Sequence, residues 1–337
     1  MKIDKNMLKQ VDPARDVDDW PVAPHVDWSA MARNSPPASI RRQWTRRAVL
    51  GAVAASATAI AGALVVQVVG PAKPVLAVTP PPLHLQYDKD APAASDALLK
   101  LASAVQAGPA VNEQRSGRFS FVRVGQWSLD MSSSAKDGTA VAVVPQVIST
   151  WRALDGSGKV VTASLHRSDV GDKPDAQALM TAATRGGTQV STYAAGQLAA
   201  VIADPIPHDV DALAKALYAH QPQDKGAQSA VRAIADLYRA AAVDRDVRVA
   251  ALRFLARTDG VLLRGEITDR LGRRGLAVSV DSKTGETRDL LVFDQRTGLL
   301  LAHESMFLKR PEKLPVKVPA VFSYVLYLEQ DRRTDMT

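Results

Sequence analysis

Six histidines are the side chains of this chain best suited to hold a metal or move a proton: His25, His84, His166, His208, His220 and His303. A helical metal site needs ligands one turn apart, as in HxxxH, so that two imidazoles share a face. None of the six has that spacing, and no Glu completes an HExxH frame. His208 and His220 flank one expected helix and so sit at its opposite ends. There is no cysteine, which excludes disulfides, thiolate catalysis and cysteine-based zinc sites. "DGSGK" at 155–159 lies between two strand-like runs and lacks the GxxxxGK[ST] pattern, so it reads as a hairpin turn and not a phosphate loop. "DSKTGE" at 281–286 carries carboxylates at its ends alone, too few for a calcium loop. No Ser lies in a GxSxG elbow, and no GxGxxG follows a strand. Asp269, Asp281, Asp289 and Asp294 are expected at strand ends or turns, where Asp bonds its own backbone. No catalytic, cofactor-binding or metal residue is expected, and the protein is expected to be non-enzymatic.

Aromatic side chains are the remaining candidates. Phe119, Phe121, Trp127, Trp151, Phe293, Phe307, Phe322, Tyr324 and Tyr327 fall in strand-like runs. The plain expectation is a core between sheet and helices. The alternative has Phe119, Phe121, Trp127, Trp151, Phe293 and Tyr324 lining an apolar site on the concave side of a curved sheet, suited to an acyl chain or a peptide.

The elements that would position these residues are legible in the periodicity. Leu98, Leu99, Leu101, Ala102 and Val105 repeat at helical spacing, which predicts a helix over 92–107 with Ser95 or Asp96 as cap. "RFSFVRVGQWSLDM" (118–131) and the run from 140 to 167 are rich in Val, Phe, Trp and Thr and predict strands, with a turn at Asp155–Gly158. Residues 168–205 have weak periodicity and read as irregular, with one short helix near Gly196–Ile202. Three amphipathic helices are expected over 208–257, the first capped by Asp209. From 261 to 308, apolar and polar residues alternate between "DRLGRRG", "SKTGE" and "DQRTG". This predicts a meander of four antiparallel strands, with a fifth over 320–330. Helices and strands segregated in this way predict an α+β fold.

Charge and hydropathy order the chain into compartments. The net charge is +7. The first 47 residues hold nine Lys/Arg against six Asp, so +3 resides there and +4 is spread over the rest. That is too dilute for a nucleic-acid surface, and no nucleic-acid partner is expected. Residues 1–47, interrupted by prolines, read as a mostly disordered cytoplasmic tail. From Ala48 to Ala72 no residue is charged. About 22 apolar or small residues at ~1.5 Å rise span about 33 Å, enough for a bilayer core, so 48–70 reads as a transmembrane helix. Arg41, Arg42, Arg46 and Arg47 precede it and set its topology with the N-terminus inside. The rival is a cleaved twin-arginine signal, with "TRRAVLG" at Thr45–Gly51 and "VLA" at Val75–Ala77 as cleavage site. Either reading exports the remainder. Residues 71–82 then form a proline-rich linker, 83–330 an extracytoplasmic α+β domain, and 331–337 a C-terminal tail.

Several segments carry a likeness. "AVVPQVISTWRALDGSGKVV", "AIADLYRAAAVDRDVRVAALRFLA", "GEITDRLGRRGLAVSVDS", "LLVFDQRTGLLL" and "VPAVFSYVLYLEQ" resemble motifs of actinobacterial single-pass membrane proteins encoded beside extracytoplasmic-function sigma factors. The resemblance covers most of 83–330. It implies a regulatory or sensory membrane protein, anti-sigma-like, whose tail 1–47 meets a sigma factor or other cytoplasmic regulator. The tail is shorter than a folded sigma-binding domain and lacks a His/Cys zinc-ligand set. The terminal hairpins also look like those of periplasmic lipoprotein carriers, which implies as alternative an envelope lipid- or peptide-binding carrier.

Overall fold

Consecutive apolar residues in the central strands, such as Ala277–Val278 and Leu290–Phe293, build a sheet that is apolar on both faces. In the computed structural model, residues 79–88, 90–108, 117–134, 138–143, 145–164, 186–312, 314 and 316–336 are described. They belong to a single compact unit. The fold is α+β, a large curved antiparallel sheet with four α-helices among the described residues.

The helices are α1 (Ser95–Ala107), α2 (Val210–His220), α3 (Ala227–Ala240) and α4 (Arg245–Ala256). The strands are β1 (Phe119–Ser134), β2 (Gly138–Val143), β3 (Gln146–Ala153), β4 (Gly158–Ser164), β5 (Gly187–Tyr193), β6 (Leu262–Thr268), β7 (Arg274–Asp281), β8 (Thr287–Phe293), β9 (Leu300–Phe307) and β10 (Ala320–Arg333). They form a ten-stranded sheet of order β5-β4-β3-β1-β10-β9-β8-β7-β6, with β2 beside the far half of β1. All pairings are antiparallel, as the hairpin turns of the meander require.

Alternate residues of the central strands β1, β7, β8 and β10 serve two cores. Val122, Val124, Val278, Val280, Leu291, Phe293, Val325 and Tyr327 face the helices. Their neighbours Trp127, Ala277, Leu290, Val292, Tyr324 and Leu326 form a second cluster on the opposite face. Helix α3 is the buried hinge of the first core. Its Tyr238 hydroxyl donates to Gly298 O (3.0 Å), and Tyr327 returns a bond from β10 to Ala235 O (2.8 Å). Burial pushes both phenols above the ordinary tyrosine range. Asp209 caps α2 as expected, accepting from Asp211 N and Ala212 N.

Four expectations need correction. The segment 168–205 is not wholly irregular: "GTQVSTY" forms strand β5, and 194–202 holds turns and bends instead of a helix. Paired against β4, those residues gain a ladder that their weak local pattern did not announce. The run from 140 to 167 divides at Pro145 into β2 and β3, because β2 pairs the outer half of β1 and β3 the inner half. Strand β10 continues through Asp331, Arg332 and Arg333, with Arg333 opposite Phe119, so the C-terminal tail begins later than 331. Helix α1 starts after Ala94, with no side-chain cap, in place of a Ser95 or Asp96 cap.

Ile234 is fully buried in α3, whereas Leu99 on α1 is 46% exposed. We expect Ile234→Ala to cost about 3 kcal/mol in denaturant unfolding and Leu99→Ala less than about 0.5 kcal/mol.

Candidate functional site

Among the described residues, two buried polar constructions centre on β8 and β9. The first lies under α3. Asp289 sits in the middle of β8, fully buried, opposite Ser305 of β9. Gln228 and Arg232, one turn apart on α3, donate to its Oδ2 at 2.7 and 3.0 Å. Ser305 Oγ donates to Oδ1 at 2.5 Å, and His303 Nε2 lies 3.2 Å from the same oxygen. Asp289 is therefore neither at a strand end nor in a turn, as its sequence context suggested. Burial by itself would push this carboxyl up. His303, Arg232 and Ser305 outweigh it and hold Asp289 well below the usual carboxylate range. Ser305 donates to the carboxylate and not to the imidazole, so the three side chains do not form a nucleophile–base–orienter relay. The arrangement clamps α3 to the sheet.

The second construction lies on the face away from the helices. Arg270, in the β6–β7 turn, reaches across that face to the fully buried Glu304 of β9. Its Nε lies 2.7 Å from Oε1, and its Nη2 donates to Oε2 at 2.8 Å. The guanidinium rests over the Tyr324 ring at 4.8 Å, and Tyr324 stacks on Trp127 at 5.8 Å and 6°. Burial dominates at Glu304 and pushes its carboxyl above the usual range, with Arg270 pulling the other way. Neighbouring Asp269 and Arg273 pair at 2.6 Å, and Arg273 donates to Tyr327 O and Leu301 O. The "DRLGRRG" turn is thus a bundle of side-chain bonds tying β6–β7 to β9 and β10.

A strap covers this face. Residues 79–88, the end of the proline-rich stretch and the start of the folded region, lie against it. Leu83 and Leu85 pack on the Trp127–Tyr324 cluster, and Arg270 Nη2 donates to Pro81 O at 3.0 Å. Gln86 N and Tyr87 N donate to Arg264 O, and Arg264 Nη1 donates back to Tyr87 O and Asp88 O. The crossing needs Gly265. Its φ is +86°, β6 shifts register there, and a Cβ would stand 2.2 Å from Gln86 Oε1. The linker expected over 71–82 meets the fold before its end, since Pro81 O accepts from Arg270 of the β6–β7 turn.

The six aromatic candidates are all buried, between 0 and 6% exposed, and the fold divides them. Trp127 and Tyr324 meet beneath the strap. Phe121 and Trp151 meet elsewhere on the same face, centroids 4.7 Å apart, with Arg333 at 3.5 Å over Phe121 and Lys159 at 5.1 Å over Trp151. Phe119, two residues before Phe121 on β1, lies under Arg118. Phe293 is on the helix side against Tyr238. Arg41, Arg42, Arg46, Arg47 and the span 48–70 lie outside the described residues. Among the described residues no helix is long and apolar enough to cross a membrane, and no group of three or more His, Asp or Glu is placed to hold a metal ion. The buried roles of Asp289, Glu304 and Arg270 are not evident from the sequence. The one signal was a charged residue at an apolar-periodic position, as in "RDLLVF" and "LAHESM".

Two outcomes are expected. Because Asp289 is depressed in the fold, its contribution is present above the unfolded carboxylate value and is lost as pH falls through about 4 and below. Asp289→Asn should cost about 3 kcal/mol at pH 7, and chemical denaturation at falling pH should show the two proteins converging. Glu304 carries the opposite sign, since protonation favours its folded form. Leu85→Asp should free the strap, read as faster amide exchange at Gln86 and Tyr87 with the helix-side core unchanged.

No protein-family model and no curated protein matches the chain. A solved structure of a DUF1329 family protein from Desulfovibrio piger aligns over 71% of this chain and 93% of its own, with 11% identity and a TM-score of 0.20. A score that low carries no argument about fold or activity.

Proposed function

We propose that the chain is a membrane-anchored, extracytoplasmic sensor or regulatory protein, non-enzymatic and linked to an extracytoplasmic-function sigma factor. The observation that carries this reading is the strap. The segment that joins the arginine-flanked apolar run 48–70 to the sheet is seated on the sheet by Pro81, Leu83, Leu85 and the Arg264 bonds. A change in the Arg270–Glu304–Tyr324 face therefore acts on the chain leading to the span, and through it on the tail 1–47. The cytoplasmic half of the proposal is supported by the basic tail and by the resemblance of the motifs in 140–330. In the carrier alternative, an acyl chain or peptide takes the face itself. It would have to part Leu83 and Leu85 from Trp127 and Tyr324, so the strap is the gate in either reading.

The absence of native cysteine allows single-cysteine topology mapping. Leu154, 69% exposed, and Ser29 in the tail are the positions to substitute. In intact cells a membrane-impermeant thiol reagent should label Leu154→Cys and spare Ser29→Cys. Labelling of both, or a mature chain that begins after Ala77, would overturn the anchored topology. Residues 1–47 as bait should recover a sigma factor or its regulator; recovery of neither, with acyl chains co-purifying with the full chain, would favour the carrier.

A further inference from the structure

The two ends of the sheet are treated differently. At the β6 end the outer backbone groups are occupied: Leu263 N donates to Pro92 O, Ala94 N donates to Val261 O, and Arg264 O accepts from Gln86 N and Tyr87 N. At the β5 end, among the described residues, no backbone bond reaches the outer edge. Exposed edges in soluble proteins are ordinarily blunted by charge, proline, a bulge or a cover. Strand β5 is "GTQVSTY", with no charged residue and no proline, and it pairs with β4 over seven residues without a register shift. Val190 at its centre is 47% exposed.

The strand is a chemical palindrome about Val190. In an antiparallel pairing of two copies centred there, Val190 faces Val190 of the second copy. Thr188 then faces Thr192, Gln189 faces Ser191, and Gly187 faces Tyr193. Each is a favourable cross-strand pair: β-branched on β-branched, hydroxyl on hydroxyl, amide on hydroxyl, and an aromatic over a glycine. No like charges meet. Self-complementarity of one patch is the requirement for a two-fold interface.

We propose that β5 is the interface of a symmetric dimer in which two copies of this chain join edge to edge into one continuous sheet about a two-fold axis at Val190. The dimer does not require residues 48–70 to be an anchor. Anchoring would raise the local concentration of the second copy and so strengthen it. A ladder of seven residues is short, and the dimer is therefore concentration-dependent in solution.

The test uses the full-length chain in mild detergent. Antiparallel partners have Cα atoms about 4.5 or 5.5 Å apart, both within disulfide range. Val190→Cys should crosslink to a dimer on mild oxidation. Thr188→Cys by itself should not, because its own mate lies four residues along, about 13 Å away. An equal mixture of Thr188→Cys and Thr192→Cys should crosslink. Val190→Lys, at an exposed position, should keep the thermal transition of the wild type at concentrations where both are monomeric, and raise the dimer dissociation constant about tenfold or more by sedimentation. A chain that stays monomeric at all concentrations, or a Val190→Cys variant that crosslinks no better than Thr188→Cys, would overturn the proposal and leave the edge to a foreign strand.

Discussion

The antiparallel ladder between β1 and β10 is the interaction on which the other structure depends. It joins Phe119 to Arg333 and Trp127 to Tyr324, so the first and last strands of the sheet meet at its centre. Strands β3 to β5 extend from one side of that pair and β9 to β6 from the other. The helices α2 to α4, which lie between these halves in the chain, are thereby held over a surface contributed by both. Charge reinforces the ladder on the face away from the helices. Arg123 bonds Glu329 at 3.1 Å, and Arg333 lies over the Phe121 ring. Closing so long a loop costs entropy, and the many paired residues of two long strands offset it.

Ionic groups then decide how layers seat on this frame. Apolar surface holds helices to a sheet without fixing their rotation. Asp289, bonded from Gln228, Arg232 and Ser305, admits one placement of α3. Arg270 and Glu304 do the same for the β6–β7 turn, and Arg264 for the strap. Buried pairs of this kind add little net stability compared with apolar packing, yet losing one partner is costly. Their effect here is registry. The strap is the part of the fold through which the proposed sensor face and the proposed anchor share a mechanical connection, and β5 is the part through which two copies would share a sheet.

The legible features were those that a few adjacent residues specify. Alternation between "SKTGE" and "DQRTG" was enough for β7, β8 and β9, because glycine turns and period-two apolarity act locally. The helices of 208–257 were legible for the same reason, at period 3.6. Strand β5 was not, since "GTQVSTY" has one aliphatic residue and owes its conformation to β4. Of the aromatic residues singled out, Trp127 with Tyr324 and Phe121 with Trp151 do share a face, as alternation on paired strands implies, but Phe293 points to the other. Parity along one strand is readable; which parity faces the helices is not, until the strands are paired.

The sequence by itself determined the element types outside 186–205, the meander and its turns, the absence of cysteine chemistry, and an uncharged run behind four arginines. Tertiary structure decided the strand order, the neighbours of each charge and the fate of the proline-rich approach. Asp289, Glu304 and Arg270 are far apart from their partners in the chain or hidden in apolar runs, and a carboxylate has no local signature of burial. Its meaning comes from what folding brings within about 3 Å of it, and that distance is set by pairing across the sheet and by the docking of α3 and the strap.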